Sequence, residues 1–261
     1  MIHELDECAM EIDGKKAMLV GGASGFGRAT AELLRSKGAS VAILDRPNTE
    51  GRDVAASLSG TFHECDITDD DAVGTAIDTA TDALGGLDIA VNTAGGGIAK
   101  RTLTREGPHP LEEFRGVVEL NLIATFNLNR LQAWKMSQNE PDDGERGVIV
   151  NTLSIAAYEG QIGQVAYAAA KSGLSGMIFT MARDLGSVGV RVTGIAPSLF
   201  STGLTKGIPD EFAEVLTKDA AFPKRMGRPE EYARLAVAIA ENPMLNGSVI
   251  RLDAGQRFAP K

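Results

Sequence analysis

The sequence is poor in cysteine and in histidine. Only two cysteines, Cys8 and Cys65, occur in 261 residues, and they lie far apart outside any CxxC motif. This pattern excludes a disulfide framework and indicates reduced thiols in a reducing compartment. The three histidines, His3, His63 and His109, show no spacing typical of metal ligands. We therefore expect no metal site.

Basic residues and long apolar runs are also scarce. Lysine and arginine total 26 against 35 acidic residues, which gives a net charge of −9. That balance argues against nucleic acid or an anionic membrane as a partner. No apolar run approaches the roughly 18 residues of a membrane span. The acidic residues 1–16 lack an apolar core and resemble neither a secretory signal nor an arginine-rich transit peptide.

What the sequence does contain is a regular alternation of apolar runs and helical patterns. The alternation extends from end to end without a linker, a repeat or a low-complexity tract, so a single domain over residues 1–261 is expected. Intervening helices imply a parallel sheet covered on both faces, that is, an α/β, Rossmann-like three-layer fold with seven strands. The predicted strands are Ala17–Val20, Ser40–Leu44, Thr61–Cys65, Leu87–Val91, Gly147–Asn151, Val190–Ile195 and Ser248–Leu252.

Two long connections interrupt this rhythm, at residues 95–110 and 198–228. Each follows the carboxyl end of a predicted strand, where open α/β sheets bind ligands. Long connections at that edge are more often functional than idle. We expect these two loops to contact the substrate.

A glycine-rich turn directly follows the first predicted strand and opens a helix. Such a turn lets the backbone approach a pyrophosphate, and the helix N-terminus attracts its charge. The GxxxGxG spacing differs from the GxGxxG fingerprint, but its position after the first strand predicts a dinucleotide site. The residues concerned are Gly21, Ser24, Gly25, Phe26 and Gly27.

Acidic residues end the second and third predicted strands. Asp45 is placed to accept the ribose hydroxyls of an adenosine and to repel a 2′-phosphate, which favours NAD over NADP. Arg46 offers the opposite preference, because it is able to pair with that phosphate. Asp66, followed by Ile67, either contacts the adenine amino group or caps a helix. After the fourth strand, small residues leave room for the cofactor: Asn92, Thr93, Ala94 and Gly95.

Tyr167 and Lys171 lie four residues apart, with Ser154 thirteen residues upstream. Residues four apart share one helix face. An unperturbed tyrosine has a pKa near 10, so acting as a base near pH 7 requires about 4 kcal/mol. A cation about 4 Å away supplies about 4 kcal/mol at an effective dielectric of 20. The spacing therefore predicts a tyrosine base activated by lysine, provided that burial does not cancel the effect.

Together these motifs resemble the short-chain dehydrogenase/reductase family over essentially the whole chain. The resemblance implies that Tyr167 exchanges the substrate proton, that Lys171 lowers the tyrosine pKa and holds the nicotinamide ribose, and that Ser154 hydrogen-bonds the substrate oxygen. Asn121 would anchor a proton-relaying water, or simply bond helix backbone. Near the nicotinamide and phosphates the resemblance places Pro197, Phe200 and Thr202, with Phe200 alternatively packing a lid.

Several longer stretches resemble family members that act on acyl-CoA, among them GGASGFGRATAE, AYEGQIGQVAYAAAKSG and EYARLAVAIAENPMLNGSVIRLD. They imply NAD-dependent interconversion of a 3-hydroxyacyl-CoA and a 3-oxoacyl-CoA, in the bacterial cytoplasm or the mitochondrial matrix. A carrier-protein or hydroxysteroid reductase is the alternative, and a non-enzymatic scaffold is disfavoured by the intact trio. Gln164 joins Ser154 and Tyr167 as a substrate residue. Three cations meet CoA phosphates or form a solvated basic loop: Lys100, Arg101 and Arg105.

The helix predicted over residues 164–185 is rich in alanine, glycine and serine beside large apolar residues. One face is expected to pack on the sheet and the other on a second subunit. The resemblance implies a homotetramer. Ser198 stands where family members carry glycine after Pro197, which bears on the size of the substrate pocket.

Overall fold

The computed structural model describes residues 10–203 and 210–258. These residues contain a seven-stranded parallel sheet in the order β3-β2-β1-β4-β5-β6-β7, so the predicted fold class and every predicted strand are confirmed. The order reverses between β1 and β4, and a crevice for ligands opens at such a switch point. The strands are β1 (Lys16–Val20), β2 (Ser40–Asp45), β3 (Thr61–Glu64), β4 (Ile89–Asn92), β5 (Gly147–Thr152), β6 (Val190–Pro197) and β7 (Val249–Leu252).

Helices cover both faces of the sheet. One hydrophobic cluster joins the sheet to α3, α5 and α6, and a second joins its other face to α1, α2 and α8. Side chains alternate between the two clusters along β1, where Met18 and Val20 face one and Ala17 and Leu19 the other. The helices are α1 (Gly25–Ser36), α2 (Gly51–Ser57), α3 (Asp70–Leu84), α4 (Leu111–Val118), α5 (Ala124–Met136), α6 (Val165–Leu185), α7 (Asp210–Thr217) and α8 (Pro229–Glu241).

The acidic run after β3 starts α3, as its composition predicts. The Asp69 carboxylate accepts hydrogen bonds from the backbone N–H groups of Asp71 and Ala72, which otherwise lack a partner in the helix. The helix ends at Gly85, whose φ of 72° is in the left-handed region. Asp69, and not Asp66, is therefore the cap, so the capping alternative for Asp66 is wrong.

A five-residue π-helical turn, Glu119–Ile123, joins α4 to α5. Such turns are rare and often occur at functional sites. The turn brings Asn121 fully inside the protein, where the side chain is 0% exposed. Its amide donates to the carbonyl of Val117, four residues earlier.

The two long connections differ in structure. Within residues 95–110, Leu103–Thr104 pairs with Gly107–Pro108 in a short hairpin. The backbone N–H of Lys100 donates to the carbonyl of Gly163 at 2.8 Å, which ties this loop to the segment before α6. In the second connection, residues 204–209 lie outside the described residues, including Gly207 and Pro209.

No helix among the described residues is both long and apolar enough to cross a bilayer. The same residues hold no group of three or more histidine, cysteine, aspartate or glutamate side chains that would suit a metal ion.

Candidate active site

A cavity of about 630 Å³ opens at the carboxyl ends of the strands around the switch point. Nearly all the predicted cofactor and catalytic residues line it, although they come from seven separate parts of the chain. They are Gly21, Ser24, Gly25, Phe26, Asp45, Asp66, Ile67, Thr93, Ala94, Gly95, Ser154, Tyr167, Lys171, Pro197, Phe200 and Thr202. Gly27, Asn92, Asn121 and Gln164 are the predicted residues that do not line it.

The glycine turn is built for close approach. Gly21 has φ +79°, and a Cβ on it would lie 2.7 Å from the backbone nitrogen of Ala94. Gly27 does not face the cavity, but a Cβ there would collide with the carbonyl of Gly21. Helix α1 begins at Gly25, so its N-terminal N–H groups point to the cavity. This arrangement fits the phosphates of a dinucleotide.

Asp45 connects the second strand to the glycine turn. One carboxylate oxygen accepts from the N–H of Ala23 at 2.9 Å and the other from the N–H of Arg46 at 2.8 Å. A carboxylate offers about four acceptor positions, so Asp45 retains capacity for ribose hydroxyls. Its position in the cavity wall fits the adenosine end of a dinucleotide.

Asp66 also faces the cavity, with Arg46 close enough to influence it. Its carboxylate accepts from the N–H and the hydroxyl of Thr68, at 3.0 and 2.7 Å. These bonds, and to a smaller extent the charge of Arg46, hold the pKa of Asp66 below its usual value. Asp66 is thus an anion at this end of the cavity, which Asp45 and Arg46 also line.

Asn92 does not line the cavity, so the prediction that its side chain is part of the cofactor site is corrected. Its side chain is only 4% exposed and lies beneath the cavity floor. Asn92 and Gln132 exchange hydrogen bonds of 2.9 and 2.8 Å. Asn129 and Asn151 form a second reciprocal pair, with both bonds at 2.8 Å, and Asn92 also donates to Asn151. These amides fasten β4 and β5 to α5, so they support the site from below.

The catalytic trio assembles from β5 and α6. Tyr167 and Lys171 share one face of α6, and the lysine Nζ lies 5.6 Å from the centroid of the tyrosine ring. Ser154 caps a short 3₁₀ helix, Ile155–Ala157, and its hydroxyl accepts from the N–H of Ala156 at 3.1 Å. That bond fixes the serine oxygen on the cavity side, where a hydrogen bond links it to Tyr167.

Burial, rather than the lysine charge, dominates the pKa values of the pair. Desolvation raises the pKa of Tyr167, and the hydrogen bond with Ser154 lowers it only in part. The same effect lowers the pKa of Lys171 to about 8. In the protein alone, the expected lowering of the tyrosine pKa by Lys171 is therefore cancelled by burial. A further positive charge in the cavity would be needed to favour the phenolate.

Lys171 and Asn121 both approach the backbone closely at Gly95. A Cβ on Gly95 would be 3.5 Å from the lysine Nζ and 2.8 Å from the asparagine Oδ1. The amide of Asn121 also exchanges bonds with the backbone of Gly96, at 3.2 and 2.6 Å. Asn121 therefore clamps the loop beside Lys171 and bonds helix backbone as well. Its water-anchoring role stays a prediction.

Three further residues of the site have no sequence motif of their own. Gly96 lines the cavity, and a Cβ on Gly97 would be 2.9 Å from the ring of Tyr167. Thr152 lines the cavity too, and its carbonyl accepts from Lys171 Nζ at 2.8 Å. The run of three glycines and the place of Thr152 at the end of β5 were the available signals.

Phe200 lies between the cavity and the glycine turn, and its predicted contact with the nicotinamide stays a prediction. It lines the cavity, yet it is only 6% exposed because it packs edge-on against Phe26, with ring centroids 5.1 Å apart. Thr202 lies close by, and its Cβ would be 3.3 Å from a Cβ added to Gly25. The wall after Pro197 is thus packed directly on the glycine turn.

Gln164 lines a different groove, of about 470 Å³, so its predicted contact with the substrate stays a prediction. Its side-chain oxygen accepts from the N–H of Gln161 at 3.1 Å. Arg101 lines the same groove. Lys100 is paired with Glu113 at 2.6 Å.

The arrangement suits proton exchange with a substrate oxygen held between Ser154 and Tyr167. The other end of the cavity fits a dinucleotide, which supplies a hydride acceptor or donor when bound. Comparison with known proteins agrees with this geometry. The pattern of the family described as short chain dehydrogenase matches residues 15–212.

Similar proteins cover almost the whole chain. Human 3-hydroxyacyl-CoA dehydrogenase type-2 is 48% identical over 254 residues, covering 95% of this chain and 97% of its own. The crystal structure of 3-hydroxyacyl-CoA dehydrogenase type-2 from Mycobacterium avium has a TM-score of 0.91 and 42% identity, with coverage of 95% and 98%. A 7α-hydroxysteroid dehydrogenase complexed with NADH and 7-oxo glycochenodeoxycholic acid has a TM-score of 0.85 and 30% identity, covering 96% and 97%. The chain is a short-chain dehydrogenase and belongs to that family of NAD(P)-dependent oxidoreductases.

Proposed function

We propose that this protein is an NAD-dependent dehydrogenase that interconverts a 3-hydroxyacyl-CoA and a 3-oxoacyl-CoA. The main support is a single cavity lined both by the trio of Ser154, Tyr167 and Lys171 and by the two carboxylates that are expected to bind adenosine. The second support is the near full-length similarity, at 48% identity, to human 3-hydroxyacyl-CoA dehydrogenase type-2.

In the oxidising direction, Tyr167 takes the proton of the substrate hydroxyl. Ser154 hydrogen-bonds the same substrate oxygen and stabilises the charge that develops on it. Lys171, held by the Thr152 carbonyl, keeps a cationic donor next to the reacting centre at pH values below its pKa of about 8. In the reducing direction Tyr167 returns the proton to the carbonyl oxygen.

NAD is favoured over NADP by the charges at the adenosine end. Asp45 and Asp66 contribute two carboxylates there against the single guanidinium of Arg46, and all three line the cavity. An added 2′-phosphate would meet a net negative surface. Initial rates with NAD and NADP at equal concentration test this choice, and a preference for NADP would mean that Arg46 outweighs the carboxylates.

The substrate class is tested by initial rates with acetoacetyl-CoA, a branched 3-hydroxyacyl-CoA and a hydroxysteroid. We expect the acyl-CoA substrates to have the larger kcat/KM. The hydroxysteroid arm matters because the solved 7α-hydroxysteroid dehydrogenase superimposes with a TM-score of 0.85. Turnover of the steroid alone would replace the acyl-CoA assignment.

We also propose that the protein is a homotetramer. Large apolar side chains on α5 and α6 remain substantially exposed, with Phe126 at 46%, Trp134 at 65% and Phe179 at 52%. Both helices cover the same face of the sheet, and exposed apolar side chains of this kind are typical of a subunit interface. Sedimentation velocity at micromolar concentration should give a tetramer, and a monomer would refute the assignment.

A further inference from the structure

Tyr232, on α8, lies where separate parts of the site meet, although it does not line the cavity. The side chain is 0% exposed. Its ring stacks on Phe26 of the glycine turn, with centroids 4.3 Å apart and an interplanar angle of 20°. Its hydroxyl lies 2.6 Å from the hydroxyl of Thr152.

Thr152 is held at two points. Its side chain contacts Tyr232, and its backbone carbonyl accepts the ammonium of Lys171 at 2.8 Å. It is also the last residue of β5, two positions before Ser154. A shift of Thr152 would therefore move the acceptor of Lys171 and the start of the segment that presents Ser154.

The ring of Tyr232 makes the second connection. Phe26, on which it stacks, also packs edge-on against Phe200, with ring planes at 75°. The glycine turn, the wall after Pro197 and α8 thus share one aromatic cluster. A single residue of α8 contacts the cofactor side through its ring and the catalytic side through its hydroxyl.

We propose that Tyr232 is a positioning residue: its hydroxyl fixes Thr152, and through the Thr152 carbonyl it fixes Lys171 relative to the glycine turn. This inference rests on the proposed dehydrogenase function. Burial raises the pKa of Tyr232, so the phenol stays neutral and is not a second base. Packing alone would not require the hydroxyl, since a phenylalanine ring would fill the same space.

The test removes the hydroxyl and keeps the ring, with Tyr232→Phe. We expect kcat to fall about tenfold, because small misplacements at a reacting centre are costly, while KM for NAD changes little. Thr152→Val should have a similar effect, Thr152→Ser should restore activity, and the double variant should be no worse than either single one. Tyr158→Phe is the matched control, because that hydroxyl is on a residue 48% exposed and lies 3.3 Å from Ser175.

A second readout does not depend on turnover. Acetylation of Lys171 by acetic anhydride, followed by mass spectrometry across a pH series, gives the titration midpoint of the ammonium. The Thr152 carbonyl stabilises the charged form, so loosening it in Tyr232→Phe should move the midpoint to lower pH. The Tyr158→Phe midpoint should equal that of the wild-type protein.

Wild-type kcat and a wild-type midpoint in Tyr232→Phe would overturn the proposal. A lower melting temperature with unchanged kcat per folded molecule would overturn it as well. If Tyr232→Phe does not fold, Thr152→Val removes the same bond and answers the same question. If the wild-type protein oxidises no 3-hydroxyacyl-CoA, the proposed function fails, while the Lys171 midpoint still decides the role of Tyr232.

Discussion

Two buried basic side chains, Lys171 and Arg191, lie at opposite edges of the sheet. They differ greatly in how many hydrogen-bond acceptors the protein gives them. They are 4% and 6% exposed, respectively. Arg191, near the start of β6, forms an ion pair of 2.8 Å with Glu145. It also donates to carbonyls in the last turn of α8 and just after it, those of Ile239, Ala240, Asn242 and Leu245, at 2.8 to 3.2 Å.

Lys171, at the carboxyl edge, donates to one acceptor within the part of the chain that the structure describes, the carbonyl of Thr152. Burial lowers its pKa to about 8. The difference teaches how to separate structural from functional cations. A buried cation whose N–H groups all have protein acceptors stabilises a helix end. A buried cation that has unused N–H donors and lies next to a cavity is available to bind a ligand.

The largest effect on activity is expected for Tyr167→Phe, next to Lys171 at the carboxyl edge of the sheet. Loss of the proton-transferring group should reduce kcat by about 10²–10⁴-fold. Affinity for NADH and the melting temperature should stay near wild-type values, because only one hydroxyl is lost. Steady-state kinetics and NADH fluorescence titration measure both, with Tyr158→Phe as the control. Near wild-type turnover would contradict the mechanism.

The comparison itself is tested by replacing each cation with methionine. Arg191→Met leaves Glu145 and four carbonyls without their partner and should lower the free energy of unfolding by about 3–5 kcal/mol. The molecules that remain folded should retain kcat. Urea denaturation and active-site titration measure the two quantities. A stable Arg191→Met protein would remove the distinction between the two cations.

Lys171→Met should have the opposite signature. The folded pKa of about 8 lies below the ordinary 10.5, so below pH 8 the buried ammonium opposes folding by up to about 3 kcal/mol. Removing the ammonium should stabilise the protein at pH 7, although loss of the hydrogen bond to Thr152 reduces the gain. Activity should fall. The gain should diminish between pH 8 and 10.5, where the wild-type lysine loses its proton on folding. A destabilised variant at pH 7 would show that Lys171 is structural too.

A smaller effect is expected in the pH profile of oxidation. Because the hydrogen bond with Ser154 lowers the pKa of Tyr167, Ser154→Ala should raise it further. The rise of kcat/KM with pH should therefore move to higher pH, in addition to a loss in rate. Profiles of the wild-type and Ser154→Ala enzymes give the shift. An unmoved profile would mean that another group titrates.

The smallest effect is expected at the adenosine end. Asp45→Asn removes one charge and keeps the shape, so the ratio of kcat/KM for NADP to that for NAD should rise by about tenfold, or 1.4 kcal/mol. Arg46→Ala is the matched control and should lower the same ratio. If neither variant changes the ratio, other residues of the cavity determine the choice of nucleotide.

Much of the fold and of the site was predictable, for local reasons. The apolar runs placed the ends of each sheet strand within two residues, and the acidic run predicted the start of α3. The glycines, Asp45 and the trio were recognisable because their spacing is chemically demanding. Asn92 and Gln164 do not line the first cavity, although both have polar side chains next to recognised motifs. Whether such a side chain turns toward the cavity or toward a buried amide depends on residues far along the chain, such as Gln132.

By itself the sequence determined the order of strands and helices, the glycine turn, and the pairing of Tyr167 with Lys171 on one helix face, because these depend on neighbours within a few positions. The tertiary structure alone decided whether the charge of Lys171 or the burial of the pair has the larger effect on the pKa of Tyr167. The same four-residue spacing predicts a lowered tyrosine pKa on an exposed helix and gives a raised one here. Desolvation depends on what the rest of the chain packs around a group, and no local pattern encodes it.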